Sequence, residues 1–279
     1  MRTLTEGARG LGLRPEFVDT LLELPAVKGL DFLEVAPENW MQIGGRKRDQ
    51  LDRIADRYPL VAHGLSLSIA DTEPLNTAFL RDVARFLDDY GIAIYSDHLS
   101  AARDSTGYLY DLLPVPRRAE NLPYLAGRIA QVQDFTGRRL VLENISAYYR
   151  YPGEMTEGAF FAELVARSGC GILLDINNAY VNARNHGTDA DAFLRALPSE
   201  AIVYYHIAGH LELADGFLLD THGTPVADAV MALAGKAWAL HGARPLLLER
   251  DNKVPALDVL LADLGYIATA VDEGRHVLA

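Results

Sequence analysis

Seven times along this chain a short apolar run rich in Val, Ile, Leu and Tyr stops at a histidine or a carboxylate. The runs are LDFLEV (Glu34), PLVAH (His63), IAIYSDH (His98), RLVLEN (Glu143), GILLDI (Asp175), IVYYH (His206) and PLLLER (Glu249). Successive end residues lie 29 to 45 positions apart, the length of a strand, a helix and two loops. Apolar runs bounded this way read as buried strands. Strands that alternate with helices imply parallel pairing, and an α/β fold of the (β/α)8 TIM-barrel type is the simplest closure. A doubly wound open sheet is the alternative. In a barrel the C-terminal strand ends converge on one mouth, which brings three imidazoles and four carboxylates into a single pocket. Such a pocket repels itself unless metal ions fill it.

Between the runs the apolar residues recur at helical spacing. These segments start at Pro15, Arg48, Leu75, Arg117, Met155, Asp189, Pro225 and Ala256, and FLRDVARFL shows the i, i+3, i+4, i+7 pattern most plainly. ARGLGLR sits where the first strand belongs, although its glycines weaken it. The stretch from Ala101 to Pro116, AARDSTGYLYDLLPVP, reads as a long loop over the mouth. Residues 1–279 are expected to form one barrel domain.

Composition narrows the function. A net charge of −12 makes the chain a poor binder of nucleic acid, which is held largely by Lys and Arg. No phosphate-binding glycine motif follows an early strand. The single cysteine, Cys170, excludes an internal disulfide and reads as a small buried hydrophobe. No signal-peptide pattern and no apolar stretch of about 20 residues are present, so a cytoplasmic protein with no membrane span is expected.

Each strand-end residue has a bland reading by itself: a hydrogen-bonded histidine, or a carboxylate capping the next helix. Repetition on one rim favours ligands. Imidazole with carboxylate suits zinc, iron or manganese. DINNAYVNARNHG adds Asn177, Asn178 and His186, IAGH adds His210, and LLDTHG places Asp220 and His222 two apart, on one side of an extended loop. The remaining histidines, His241 and His276, are expected to be solvent-exposed.

The ordered series HGLSLS, SDHLS, LENIS, LLDINNAYVNARNHG, YHIAGH, DTHG and LLERD, preceded by FLEVAPENWM, covers nearly the whole chain. It resembles the multinuclear non-haem iron-dependent oxidative enzymes, formerly domain of unknown function 692. That family shares its barrel with the xylose isomerase-like superfamily, which includes endonuclease IV and its three-metal site. The resemblance implies one metal at His63, His98 and Glu143, with Glu143 bridging to a second held by Asp175, His206 and Glu249. A third, looser site would use Asp220 and His222, completed by Asn178 where endonuclease IV-like cages carry a histidine. His210, His186 and Glu34 are the candidate catalytic groups, with Glu38 nearby; each is equally open to a hydrogen-bonding role behind the ligands.

The activity so implied is oxidation of a ribosomally made precursor peptide, typically at cysteine, by two or three iron ions of mixed valence with O2 as co-substrate. A separate leader-recognition protein is the implied partner. The competing readings are a zinc or manganese hydrolase or isomerase with the same cage, and a metal store or sensor. An isomerase of this superfamily calls for a lysine near the metals, and only Lys253, four residues beyond Glu249, is placed for that.

Overall fold

The structure is a computed structural model that describes residues 4–278, apart from the side chains of Tyr110 and residues 275–278. Eight parallel strands close into a barrel: β1 (Arg9–Gly12), β2 (Phe32–Val35), β3 (Leu60–His63), β4 (Tyr95–His98), β7 (Leu140–Glu143), β8 (Gly171–Asp175), β9 (Ile202–Ile207) and β12 (Leu246–Leu248), with β12 pairing back onto β1. The strand-end residues occupy the C-terminal rim as expected. His63, His98, Glu143 and Asp175 end their strands, Glu34 and His206 are penultimate, and Glu249 follows β12 directly.

Strand side chains alternate between faces, so the residue two before each rim residue also points into the barrel. That lower layer contains Phe32, Val61, Ser96, Val141, Leu173, Tyr204 and Leu247. Its apolar members pack in two small clusters, Ala8 with Phe32, Val61 and Leu247, and Val141 with Leu173 and Tyr204. The opposite faces carry Leu33, Ala62, Tyr95, Leu142, Leu174, Tyr205 and Leu248, which join the larger core between barrel and helices. This is the layered filling that makes such a barrel a packed core rather than a pore. The glycines of β1 have a steric reason, because a Cβ on Gly10 would sit 2.3 Å from the Phe32 ring.

Two expectations change, and one helix was not foreseen. The mouth loop at 101–116 contains an antiparallel hairpin, β5 (Ser100–Asp104) with β6 (Gly107–Pro114). The run GYLYDLLP is rich in Tyr and Leu and follows the turn residues Asp104 to Thr106, a strand signal in a stretch otherwise expected to be loop. DINNAYVNARNHG folds as a helix, α6 (Ile176–His186), capped at its start by the Asp175 side chain and closed by Gly187 in the left-handed conformation. Its four asparagines hide the helical period, yet Asn177, Asn178 and Asn182 are buried. His241, expected at the surface, is buried at the end of α8 (Asp228–His241) and shares a 2.8 Å hydrogen bond with Ser199 Oγ. His276 lies outside the described side chains. Cys170 is fully buried, as a small core residue should be.

The Phe32 ring fills the space that Gly10 leaves open, so Gly10→Ala is expected to destabilise the barrel by about 1–3 kcal/mol through overpacking. A thermal melt measures this; an unchanged midpoint would show that the ring can swing aside.

Candidate metal centre

Three ligand atoms converge at the mouth from β3, β4 and β7. His63 Nε2 lies 3.2 Å from His98 Nε2 and 3.1 Å from Glu143 Oε2, and His98 Nε2 lies 3.5 Å from the same oxygen. A cation bonded to three ligands at about 2.0–2.2 Å holds them about 2.9–3.6 Å apart, so this triangle has the size of a coordination site. Glu143 is also grouped with Asp175 and His206, and Asp175 with His222 and Glu249. Glu143 directs its second oxygen, Oε1, towards His206 Nδ1 at 4.0 Å, while His206 Nδ1 lies 3.1 Å from Glu249 Oε2. The carboxylate of Glu143 therefore faces two groups of ligands at once.

Orphaned polar atoms mark the same spot. Glu143 Oε2, Asp175 Oδ2, Asn178 Oδ1 and His206 Nδ1 are buried without a hydrogen bond. Buried polar atoms are seldom left so, and three of these four belong to carboxylates or an imidazole able to bind a cation. Asp175 caps α6 and still keeps one oxygen free: Oδ1 accepts from Asn178 N at 2.6 Å, and Oδ2 is buried without a hydrogen bond.

Charge is balanced among these groups by protons. Burial alone would lower the pKa of His63, but the adjacent Glu143 outweighs it and holds the value at about 9. His206 is likewise raised well above the usual imidazole range, Glu34 and Glu249 overcoming burial. Asp175 is pushed well up, first by burial and then by Glu143 and Asp220. A cation entering the cage takes the place of those protons.

The third group is arranged differently from the expected one. His222 Nε2 does contact Asp220 Oδ1 at 2.7 Å, although His222 adopts a positive φ of 49° rather than an extended backbone. Asn178, however, donates to Glu143 Oε1 at 3.3 Å and to Asn144 O at 3.1 Å. Asp220 takes its amide partner from Asn177 at 2.8 Å and is also approached by Ser146 Oγ at 3.2 Å.

The candidate catalytic groups disperse. Glu34 is buried on the wall of the mouth cavity, accepting from Tyr204 OH at 2.8 Å and pairing with His206 Nε2 at 3.0 Å. His210 begins the outer hairpin of β10 (His210–Glu212) and β11 (Leu218–Asp220), stacks on Tyr180 and pairs with Asn177 Oδ1 at 2.8 Å. His186 ends α6 and donates to Ala147 O at 2.6 Å, beside a separate cavity of about 310 Å³. Glu38 accepts from Leu65 N at 2.8 Å, and burial followed by the Asp97 charge raises its pKa. The sequence reading passed over Ser96, Tyr204, Arg14 and Asp251. Ser96 and Tyr204 could have been found from strand alternation, two residues before a rim histidine.

The cage opens into a cavity of about 890 Å³ walled by Leu65, Tyr108 and Leu112 on one side and by Arg14, Thr221, Asp251 and Asn252 on the other. Lys253 is exposed and is not among the lining residues.

Replacing the shared carboxylate tests the bridge. Glu143→Gln keeps volume but removes charge, and is expected to lower bound metal by at least one equivalent, measured by elemental analysis of protein loaded without oxygen. Full metal content in this variant would refute bridging. Asp220→Ala is expected to lose about one equivalent and leave the other metals in place; loss of all metal would mean the groups are not separable.

Comparison with known proteins agrees with the fold and sharpens the rest. The chain is 45% identical over 267 residues to a UPF0276 protein of Acinetobacter baylyi, covering 96% of this chain and 92% of that one. It is 46% identical over 266 residues to a UPF0276 protein of Pseudomonas aeruginosa PAO1, covering 95% and 93%. Among solved structures it resembles the D-psicose 3-epimerase of Clostridium cellulolyticum H10 (TM-score 0.62, 13% identity, 97% and 99% covered) and an L-ribulose 3-epimerase (TM-score 0.63, 16% identity, 96% of each). At such identities this likeness speaks for the xylose isomerase-like barrel alone. The model of the RiPP precursor modification enzymes MbnB/TglH/ChrH matches residues 8–272, and the chain belongs to that family.

Proposed function

We propose that this enzyme is an iron- and O2-dependent oxidase that modifies a ribosomally synthesised precursor peptide at cysteine, with two or three ions in the cage. The observation that supports it most is the Glu143 carboxylate set between two ligand groups, Oε2 beside His63 and His98 and Oε1 towards His206. Adjacent cations sharing one carboxylate suit redox chemistry on a bound substrate, and iron accepts imidazole, carboxylate and thiolate ligands together. When bound, the metal supplies the oxidising chemistry with O2 and a site for the substrate sulfur.

The chain's own residues bind, orient and shield. His63, His98, Glu143, Asp175, His206, His222 and Glu249 present donor atoms on a rigid barrel rim, with Asp220 and Asn178 at their edge. The β5–β6 hairpin walls the cavity, and Tyr108 OH donates to Ser66 O at 3.1 Å, tying that wall to the loop after β3. Leu65 and Tyr108 remain exposed at the opening, apolar surface suited to an extended peptide. A separate leader-recognition protein working beside the enzyme is part of the same proposal. The sugar-isomerase alternative loses support from Lys253, whose side chain stands in solvent.

The test is turnover of a cysteine-containing precursor peptide encoded beside the gene, followed by mass spectrometry and an oxygen electrode. Ferrous protein is expected to consume O2 and change the peptide mass, and a Cys→Ser peptide is expected to be inert. Full anaerobic turnover by zinc-loaded protein would overturn the oxidase reading in favour of a hydrolase.

A further inference from the structure

The layer beneath the cage is apolar except at two positions, Ser96 and Tyr204, which are fully buried and hydrogen-bonded to each other at 2.6 Å. Polar groups in an apolar layer cost free energy unless they are satisfied, so their placement calls for a reason. Ser96 Oγ also lies 2.8 Å from His63 Nδ1, and Tyr204 OH lies 2.8 Å from Glu34 Oε2. Glu34 Oε2 in turn lies 3.0 Å from His206 Nε2. One unbroken chain thus runs from His63 through Ser96, Tyr204 and Glu34 to His206, beneath the cage and joining the outer nitrogens of two rim histidines.

Counting protons sets the direction of every link. Tyr204 OH donates to Glu34 Oε2, and the same carboxylate oxygen accepts from His206 Nε2–H. Tyr204 has a single hydrogen, already given to Glu34, so Ser96 must donate to Tyr204. The Ser96 hydroxyl hydrogen is then committed there, with the Ala62 carbonyl a weaker neighbour at 3.2 Å. Ser96 Oγ therefore accepts from His63 Nδ1–H. We infer that Ser96, Tyr204 and Glu34 are positioning residues that together fix opposite tautomers on two ligands. His63 is held protonated on Nδ1, with its Nε2 lone pair turned to His98 and Glu143. His206 is held protonated on Nε2, with its Nδ1 lone pair turned to Glu143 and Glu249.

The geometry on the cage side agrees. His63 Nε2 is the nitrogen in the ligand triangle, and His206 Nδ1 is buried with no hydrogen bond. Carboxylates behind metal-binding imidazoles set tautomer and basicity in this way, and here a single carboxylate reaches both histidines, one directly and one through two hydroxyls. Glu34 thereby has a role as an orienting group on His206, in addition to its place on the cavity wall.

This inference rests on the cage binding a metal, but not on iron, O2 or a peptide. Protein labelled with 15N-histidine and loaded with zinc is examined by long-range 1H–15N correlation, with His→Gln variants assigning the signals. His63 is expected to carry its proton on Nδ1 and His206 on Nε2. Tyr204→Phe is expected to weaken zinc binding roughly 10- to 100-fold and to shift the signals of both histidines. Ser96→Ala is expected to move His63 far more than His206. Bound zinc with either histidine in the other tautomer would overturn the relay while leaving the cage intact. Failure of the wild-type protein to bind zinc or any other divalent ion would overturn both.

Discussion

Imidazoles and carboxylates packed within about 3 Å of one another and out of water must share positive charge, and the rest of this structure follows from that requirement. Two unit charges at such a distance interact strongly wherever water is excluded, and desolvation adds to the cost of each ion. With protons as the only counter-charge, His63 is pushed towards imidazolium by Glu143, and Asp175 towards the neutral acid by burial and by Glu143 and Asp220. Metal ions answer the same need with better geometry, since they satisfy several orphaned donor atoms at once.

The barrel meets this requirement by spreading the ligands over separate strands. For the six groups at barrel-strand ends, closure of the sheet alone brings the donors together, whereas Asp220 and His222 meet within one segment outside it. Alternation places each rim residue above an inward side chain of the same strand, so the cage stands on a packed floor. Where that floor is polar, at Ser96 and Tyr204, its hydrogen bonds run up to the histidines above them. Stability and ligand orientation are therefore served by the same layer.

Much of this was legible in the chain itself. Seven apolar runs ending in ligand-type residues specify both barrel and rim, because strand burial and strand termination are written in the same few residues. What escaped notice depends on contacts between distant segments. The α6 helix was obscured because its asparagines are buried for hydrogen bonding, as Asn182 to the backbone of Ala147 and Ile145 shows, so they read as polar where the helix is in fact covered. His241 looked like a surface residue because nothing local reveals that Ser199, 42 positions away, would cover it. Which of the adjacent Asn177 and Asn178 meets Asp220 is likewise set by the turn of α6, not by sequence spacing.

The proposed centre turns on a single carboxylate, Glu143, joining two metal positions at the barrel mouth. Anomalous diffraction at the iron edge, on crystals of protein purified and loaded without oxygen, tests that bridge. One peak is expected among His63, His98 and Glu143 and a second among Glu143, Asp175 and His206, with one Glu143 oxygen facing each. A lone peak that Glu143 does not touch, or peaks away from the strand ends, would contradict it.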